Sequence, residues 1–158
     1  MTIDAATPDA NSAEGPSRKR VIFVCTGNSA RSQMAEALLR HEAGDRFEVV
    51  SGGVNPRPVH PMAIAAMAKI GIDISGAESK SLLRFVKEPF DYVITVCDRA
   101  RQFCPVFPGG GEKLHWGIDD PAEAEGTDAQ RQAAFDRALR ELSGRIHAFV
   151  PLASPRVG

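Results

Sequence analysis

Residues Val21-Ile22-Phe23-Val24-Cys25-Thr26-Gly27-Asn28-Ser29-Ala30-Arg31-Ser32 join a short apolar run to a polar turn. The first four residues are continuous, apolar and rich in β-branched side chains, as in a strand buried on both faces. From Ser32 to Ala43, Met34, Ala35, Leu38 and Leu39 recur at helical spacing, and Gly44 supplies the stop. The order is buried strand, tight turn, helix. Repeated, it makes a parallel α/β sheet, and such sheets bind ligands where strands end and helices begin.

The alternation continues along the chain. Phe47 to Val50 reads as a second strand, and Pro61 to Ile70 as a helix closed by Gly71. Tyr92 to Val96 is a second strongly buried strand. Residues 98–104 suit a short helix ended by Pro105, and Pro108 with Gly109-Gly110-Gly111 a loop. His115-Trp116 suits a fourth, short strand. Thr127 to Phe149 carries the longest helical pattern, with Phe135, Leu139, Leu142 and Ile146 available to the core. The expected fold is therefore a single α/β domain over residues 18–153, a four-stranded parallel sheet flanked by helices. Residues 1–17, rich in Ala, Pro, Ser, Asp and Asn without periodicity, are expected to form a disordered tail. Arg18-Lys19-Arg20 reads as a solvated strand entry.

Composition narrows the class. The chain has 158 residues, enough for one self-sufficient core. Its 19 basic and 20 acidic residues leave a net charge of -1, too balanced to draw in nucleic acid or an anionic membrane surface. No apolar run is long enough to span a bilayer, and the N-terminus does not read as a signal peptide, so a cytoplasmic monomer is expected. The cysteines are Cys25, Cys97 and Cys104, an odd number that argues against a structural disulfide framework. Buried small hydrophobes or redox and nucleophilic chemistry remain. A C-x6-C spacing with no histidine cluster does not suit zinc, and no bound cofactor or metal is expected.

The turn after the first strand carries the chemistry. Successive amides of Thr26, Gly27, Asn28, Ser29, Ala30, Arg31 and Ser32 can form an anion-binding nest, reinforced by the helix N-terminus. Gly27 and Asn28 tolerate the positive φ that a tight cradle requires. Arg31 supplies a planar fork suited to a tetrahedral oxyanion. Cys25 lies in the same field, which favours a nucleophilic thiolate, and Ser32 is placed to hydrogen-bond it. The G-x-x-x-x-G-K pattern of nucleotide-binding loops is absent. A plain strand-to-helix turn with a buried cysteine is the bland alternative.

The segment VCTGNSARSQMAEALL resembles the signature of low-molecular-weight tyrosine phosphatases and of the arsenate reductases that share their fold. The resemblance continues through SGGV, GIDIS, DYVITVC and HWGIDDPA, covering about residues 20–150. It implies a phosphate- or arsenate-binding loop, Cys25 as nucleophile, and Asp120, before Pro121, as general acid. It also supplies the context of the other cysteines. Thioredoxin-coupled arsenate reductases carry one cysteine after the DYVITV-type strand and another seven residues later, before a proline. Cys97 and Cys104-Pro105 match. Two turns of regular helix would hold their Cα atoms ~10.5 Å apart, beyond the ~7 Å limit for a disulfide. They pair only if residues 98–103 unwind, and that segment buries little.

The resemblance thus implies reduction of arsenate by Cys25, with phosphate and sulfate as analogues. Cys97 and Cys104 complete a disulfide cascade, and thioredoxin is the partner that resets it. A low-molecular-weight protein tyrosine phosphatase with redox-protective cysteines is the alternative, and an oxyanion-sensing regulator a more distant one. Ala122-Glu123-Ala124 after the Asp-Pro pair, where phosphatases place aromatic residues, points to a small inorganic oxyanion. Some members hold potassium through an asparagine, a glutamate, a serine and an aspartate. Asn28, Glu36 and Ser51 match the first three, and Lys80 stands at the fourth, where its ammonium could replace the ion by pairing with Glu36 or could simply be solvated. His41, His60, His115 and His147 read as surface or turn residues rather than ligands. Trp116 is expected to pack near Asp120.

Overall fold

The computed structural model describes residues 18–153, so the expected tail over residues 1–17 lies outside the described residues. The four strands are β1 (Lys19–Cys25), β2 (Phe47–Gly53), β3 (Tyr92–Thr95) and β4 (Glu112–His115). All pair in parallel, in the order β2-β1-β3-β4. The helices are α1 (Arg31–Ala43), α2 (Pro61–Lys69), the six-residue α3 (Asp98–Phe103) and α4 (Asp128–Ala153). Short 3-10 turns cover Leu82–Phe85 and Pro121–Glu123. The fold is the expected single-domain sheet flanked by helices. No helix among the described residues is long and apolar enough to cross a membrane.

Val21, Ile22, Phe23 and Val24 are wholly buried because β1 is an inner strand covered on both faces. Met34, Ala35 and Leu39 of α1 and Phe135, Leu142 and Ile146 of α4 close the core beside it. The chain turns one way from β1 to β2 and the other way to β3, so the topological switch lies between β1 and β3. Their register pairs Val24 with Thr95, and the Val96 amide donates to the Val24 carbonyl at 2.9 Å. Cys25 and Cys97 therefore leave neighbouring strands at the same edge of the sheet.

Several boundaries differ from the sequence reading for identifiable reasons. β2 runs on through Ser51-Gly52-Gly53, residues of poor strand propensity. A Cβ on Gly53 would lie 2.8 Å from the Asn28 amide nitrogen and the Thr26 carbonyl oxygen, so the strand needs glycine where the loop rests on it. β4 is Glu112–His115 rather than His115-Trp116, an edge strand whose polar side chains hide its periodicity. Trp116 turns into the core, its ring 5.8 Å from Phe23 and 5.9 Å from Phe149, and it is absent from the cleft that Asp120 lines. α4 continues past Phe149 to Ala153 and tolerates Pro151 in its final turn, where only one backbone bond is lost.

Candidate active site

The carboxyl ends of β1 and β3 open into a cleft of about 650 Å³. Residues 25–32 form its floor. The carbonyls of Cys25, Thr26, Gly27 and Ser29 accept bonds from the amides of Val54, Asn55, Arg57 and His60, at 2.7–3.1 Å. This anchorage commits the loop's acceptors to the segment after β2 and leaves its amides as donors. The Asn28 amide donates to Cys25 Sγ at 3.2 Å. Asn28 adopts φ +47°, the left-handed conformation the nest requires.

A largely buried network holds that conformation. Asn28 Oδ1 accepts from the Lys80 amide at 2.8 Å and from Gln33 Nε2 at 2.9 Å, which fixes the orientation of the amide group. Its Nδ2 then donates to Ser32 Oγ at 2.7 Å and Ser51 Oγ at 2.9 Å. With that lone pair engaged, the Ser32 hydroxyl is free to donate to Cys25 Sγ, 2.8 Å away. The Ser51 hydroxyl donates onward to Glu36 Oε1 at 2.5 Å. Gln33, 2% exposed, also donates to the Glu78 carbonyl at 2.8 Å and so ties the loop to the chain beneath it.

Lys80 Nζ lies 3.6 Å from Glu36 Oε1, and Arg40 holds the other carboxylate oxygen at 2.7 Å. Glu36 is thus paired with two cations. An ammonium at this distance would repel a potassium ion held by the same oxygen.

Arg31 starts α1 and is 8% exposed. Its guanidinium donates to the Ile118 carbonyl at 2.9 Å and lies 3.5 Å from Asp120 Oδ2. Asp120 caps the turn Pro121–Glu123 by accepting the Ala122 amide at 3.0 Å, so its carboxyl has a fixed place on the cleft wall. Cys97 faces the same cleft. Its sulfur lies 3.3 Å from Thr26 Oγ1 and accepts the Ala100 amide at 3.4 Å, which makes it the cap of α3. Cys104 ends that helix, half-buried and outside the cleft lining. Burial pushes its thiol up from the usual range, with the Lys113 ammonium opposing.

The expected residues are thus brought together except Cys104, which is one short helix away, and Lys80, which lies behind the loop. Arg57 and Gln33 go unmarked in the sequence, and His60, expected as a surface or turn residue, lines the cleft. Arg57 adds positive charge at the rim. His60 caps α2 through Nδ1, which accepts the Met62 amide at 3.0 Å, and stacks 4.5 Å from Phe135. Burial, then Arg131, pushes its pKa down, while Asp120 opposes them. Its Pro61 neighbour was the available sequence signal, since a residue before proline readily caps a helix. Gln33 gave no signal, because a glutamine five residues from Asn28 marks no motif and its Glu78 partner is distant in sequence.

Residues 20–151 match the family model described as low molecular weight phosphotyrosine protein phosphatase. The chain belongs to this family. Among other members, an arsenate reductase of Halalkalibacterium halodurans is 44% identical over 132 residues, covering 84% of this chain and 95% of that protein. A solved structure described as an arsenate reductase in the phosphate binding state is 32% identical, covers 86% of this chain and 99% of that one, and superposes with a TM-score of 0.70. A thioredoxin-dependent arsenate reductase of Corynebacterium glutamicum is 33% identical, covers 87% of this chain and 65% of that one, and has a TM-score of 0.58. Within this phosphatase family, then, the chain is similar to members named for arsenate reduction.

Proposed function

We propose that this chain reduces arsenate to arsenite and that thioredoxin resupplies the electrons. The observation that carries the reading is the path of three sulfurs. Cys25 lies on the loop, Cys97 touches the same loop through Thr26, and Cys104 ends the helix that Cys97 begins. A phosphatase needs only the first. The similarity to named arsenate reductases supports the same reading.

Loop amides and the Arg31 fork hold arsenate, and the Cys25 thiolate attacks As(V). Asp120 gives a proton to the departing oxygen, which leaves as water. Cys97 then attacks Cys25 Sγ. The S–As electron pair stays on arsenic, arsenite departs as As(III), and a Cys25–Cys97 disulfide forms. Cys104 attacks Cys97 Sγ and expels the Cys25 thiolate, leaving Cys97–Cys104. A thioredoxin dithiol reduces that bond and itself becomes a disulfide. The two electrons delivered to arsenic thus come from thioredoxin. Lys80 takes the place of a cation beneath the loop through its pairing with Glu36.

The test follows NADPH in the presence of thioredoxin and thioredoxin reductase. Sustained oxidation that begins on adding arsenate is the expected result. Hydrolysis of an aryl phosphate without arsenate-dependent oxidation would favour the phosphatase reading instead.

A further inference from the structure

α3 buries a single side chain, Ala100, and leaves Phe103 54% exposed. A six-residue helix is too short to hold itself, so external contacts decide whether it stays wound. One of these contacts comes from a residue outside the cleft. His115, the last residue of β4, places Nε2 3.0 Å from Asp98 Oδ1, in the first turn of α3. Its Nδ1 lies 2.8 Å from Thr95 Oγ1, at the end of β3. An Asp98 carboxylate only accepts, so Nε2 carries a proton, and the Thr95 hydroxyl can donate to Nδ1. The ring is largely enclosed, with 21% of the side chain exposed, so two strand ends fix its position.

We infer that His115 is a positioning residue that latches the first turn of α3 to the sheet and so holds Cys97 and Cys104 apart until the helix unwinds. The inference rests on the reductase reading above, in which those two sulfurs must meet. The latch acts through Asp98 and touches neither the oxyanion nor a sulfur. A single side-chain hydrogen bond to a carboxylate contributes modestly to an ordinary helix. Here it supplements one buried alanine and the Cys97 cap, so its share of what holds the segment is substantial.

Closure can be read apart from arsenate. In a Cys25→Ser background two thiols remain, and diamide accepts two electrons and two protons from them, becoming its hydrazine as Cys97–Cys104 forms. His115→Phe, which keeps bulk and removes the bonds to Asp98 and Thr95, should speed closure about two- to fivefold. It should also raise amide exchange over residues 98–103, while phosphate affinity stays as in the parent. His115→Gln, whose amide can still donate to Asp98, should restore the parent rate. Asp98→Ala should match His115→Phe and keeps the question answerable if the aromatic replacement does not fold. Parent rates in His115→Phe and Asp98→Ala overturn the latch, as does equal acceleration by His115→Gln. A parent that never closes under diamide overturns it too. Loss of arsenate-dependent NADPH oxidation in the unmodified protein would instead sink the reductase reading, whatever diamide does.

Discussion

The loop at residues 25–32 and the helix that follows Cys97 meet at the same edge of the sheet but are built in opposite ways. In the loop, Asn28, Ser32 and the supporting Gln33 and Ser51 are all buried, and each side chain is hydrogen-bonded. In α3 one side chain is buried, and just beyond it Val106 stands 81% exposed. An oxyanion cradle gains from donors that do not reorganise during reaction. A segment that must bring two distant cysteines together gains from low local stability. The contrast teaches that rigidity has been placed where charge is held and looseness where sulfur must travel.

The contrast breaks most severely at the acid. Asp120→Asn should slow the step that forms the Cys25–arsenic bond about a hundredfold, the low end for a lost general acid, and leave diamide closure of Cys97 with Cys104 unchanged. Rapid-quench measurement of thiol loss separates the two. Next comes the buried amide. Gln33→Met removes the bonds donated to the Asn28 carbonyl, Asn28 Oδ1 and the Glu78 carbonyl while keeping the length of the side chain. It leaves Asn28 Oδ1 and the Glu78 carbonyl short of a donor, so phosphate affinity measured by calorimetry should fall about tenfold. Unchanged affinity would mean that the loop holds its shape without that clamp.

Two smaller effects sharpen the comparison. Burial keeps Cys104 protonated above the ordinary thiol range, so its attack on Cys97 should accelerate as pH rises through and beyond neutrality. Stopped-flow release of the Cys25 thiolate would show this, and a rate independent of pH would place the slow step elsewhere. Replacing sodium by potassium should leave turnover unchanged, because Lys80 already lies against Glu36. A large rise with potassium would show that the ammonium moves aside.

How much of this was legible in the sequence follows from how local each feature is. The loop is eight consecutive residues, and its glycine, asparagine, serine and arginine announce an anion cradle without any distant contact. The approach of Cys97 to that loop depends on the β1–β3 register, which no local spacing encodes, so only the resemblance suggested it. The Gln33 bond to the Glu78 carbonyl and the Arg57 bond to the loop join residues far apart in the chain, so no local pattern marks them, whereas the His60 cap is marked by Pro61. The carboxyl end of β2 was missed because Gly52 and Gly53 make room for the structures resting on them, Leu82 and the loop, rather than signalling a strand. His115 reads as part of a short strand with no functional role, since nothing in its neighbours reveals the bond to Asp98.

The central claim is that the rigid loop and the loose helix are successive stations of one relay. It is tested most directly by giving excess arsenate to the Cys104→Ser protein with no thioredoxin present, then mapping disulfides by mass spectrometry. The account predicts one arsenite released per chain and a trapped Cys25–Cys97 bond. Free Cys25 and Cys97 thiols, or release of more than one arsenite per chain, would contradict it.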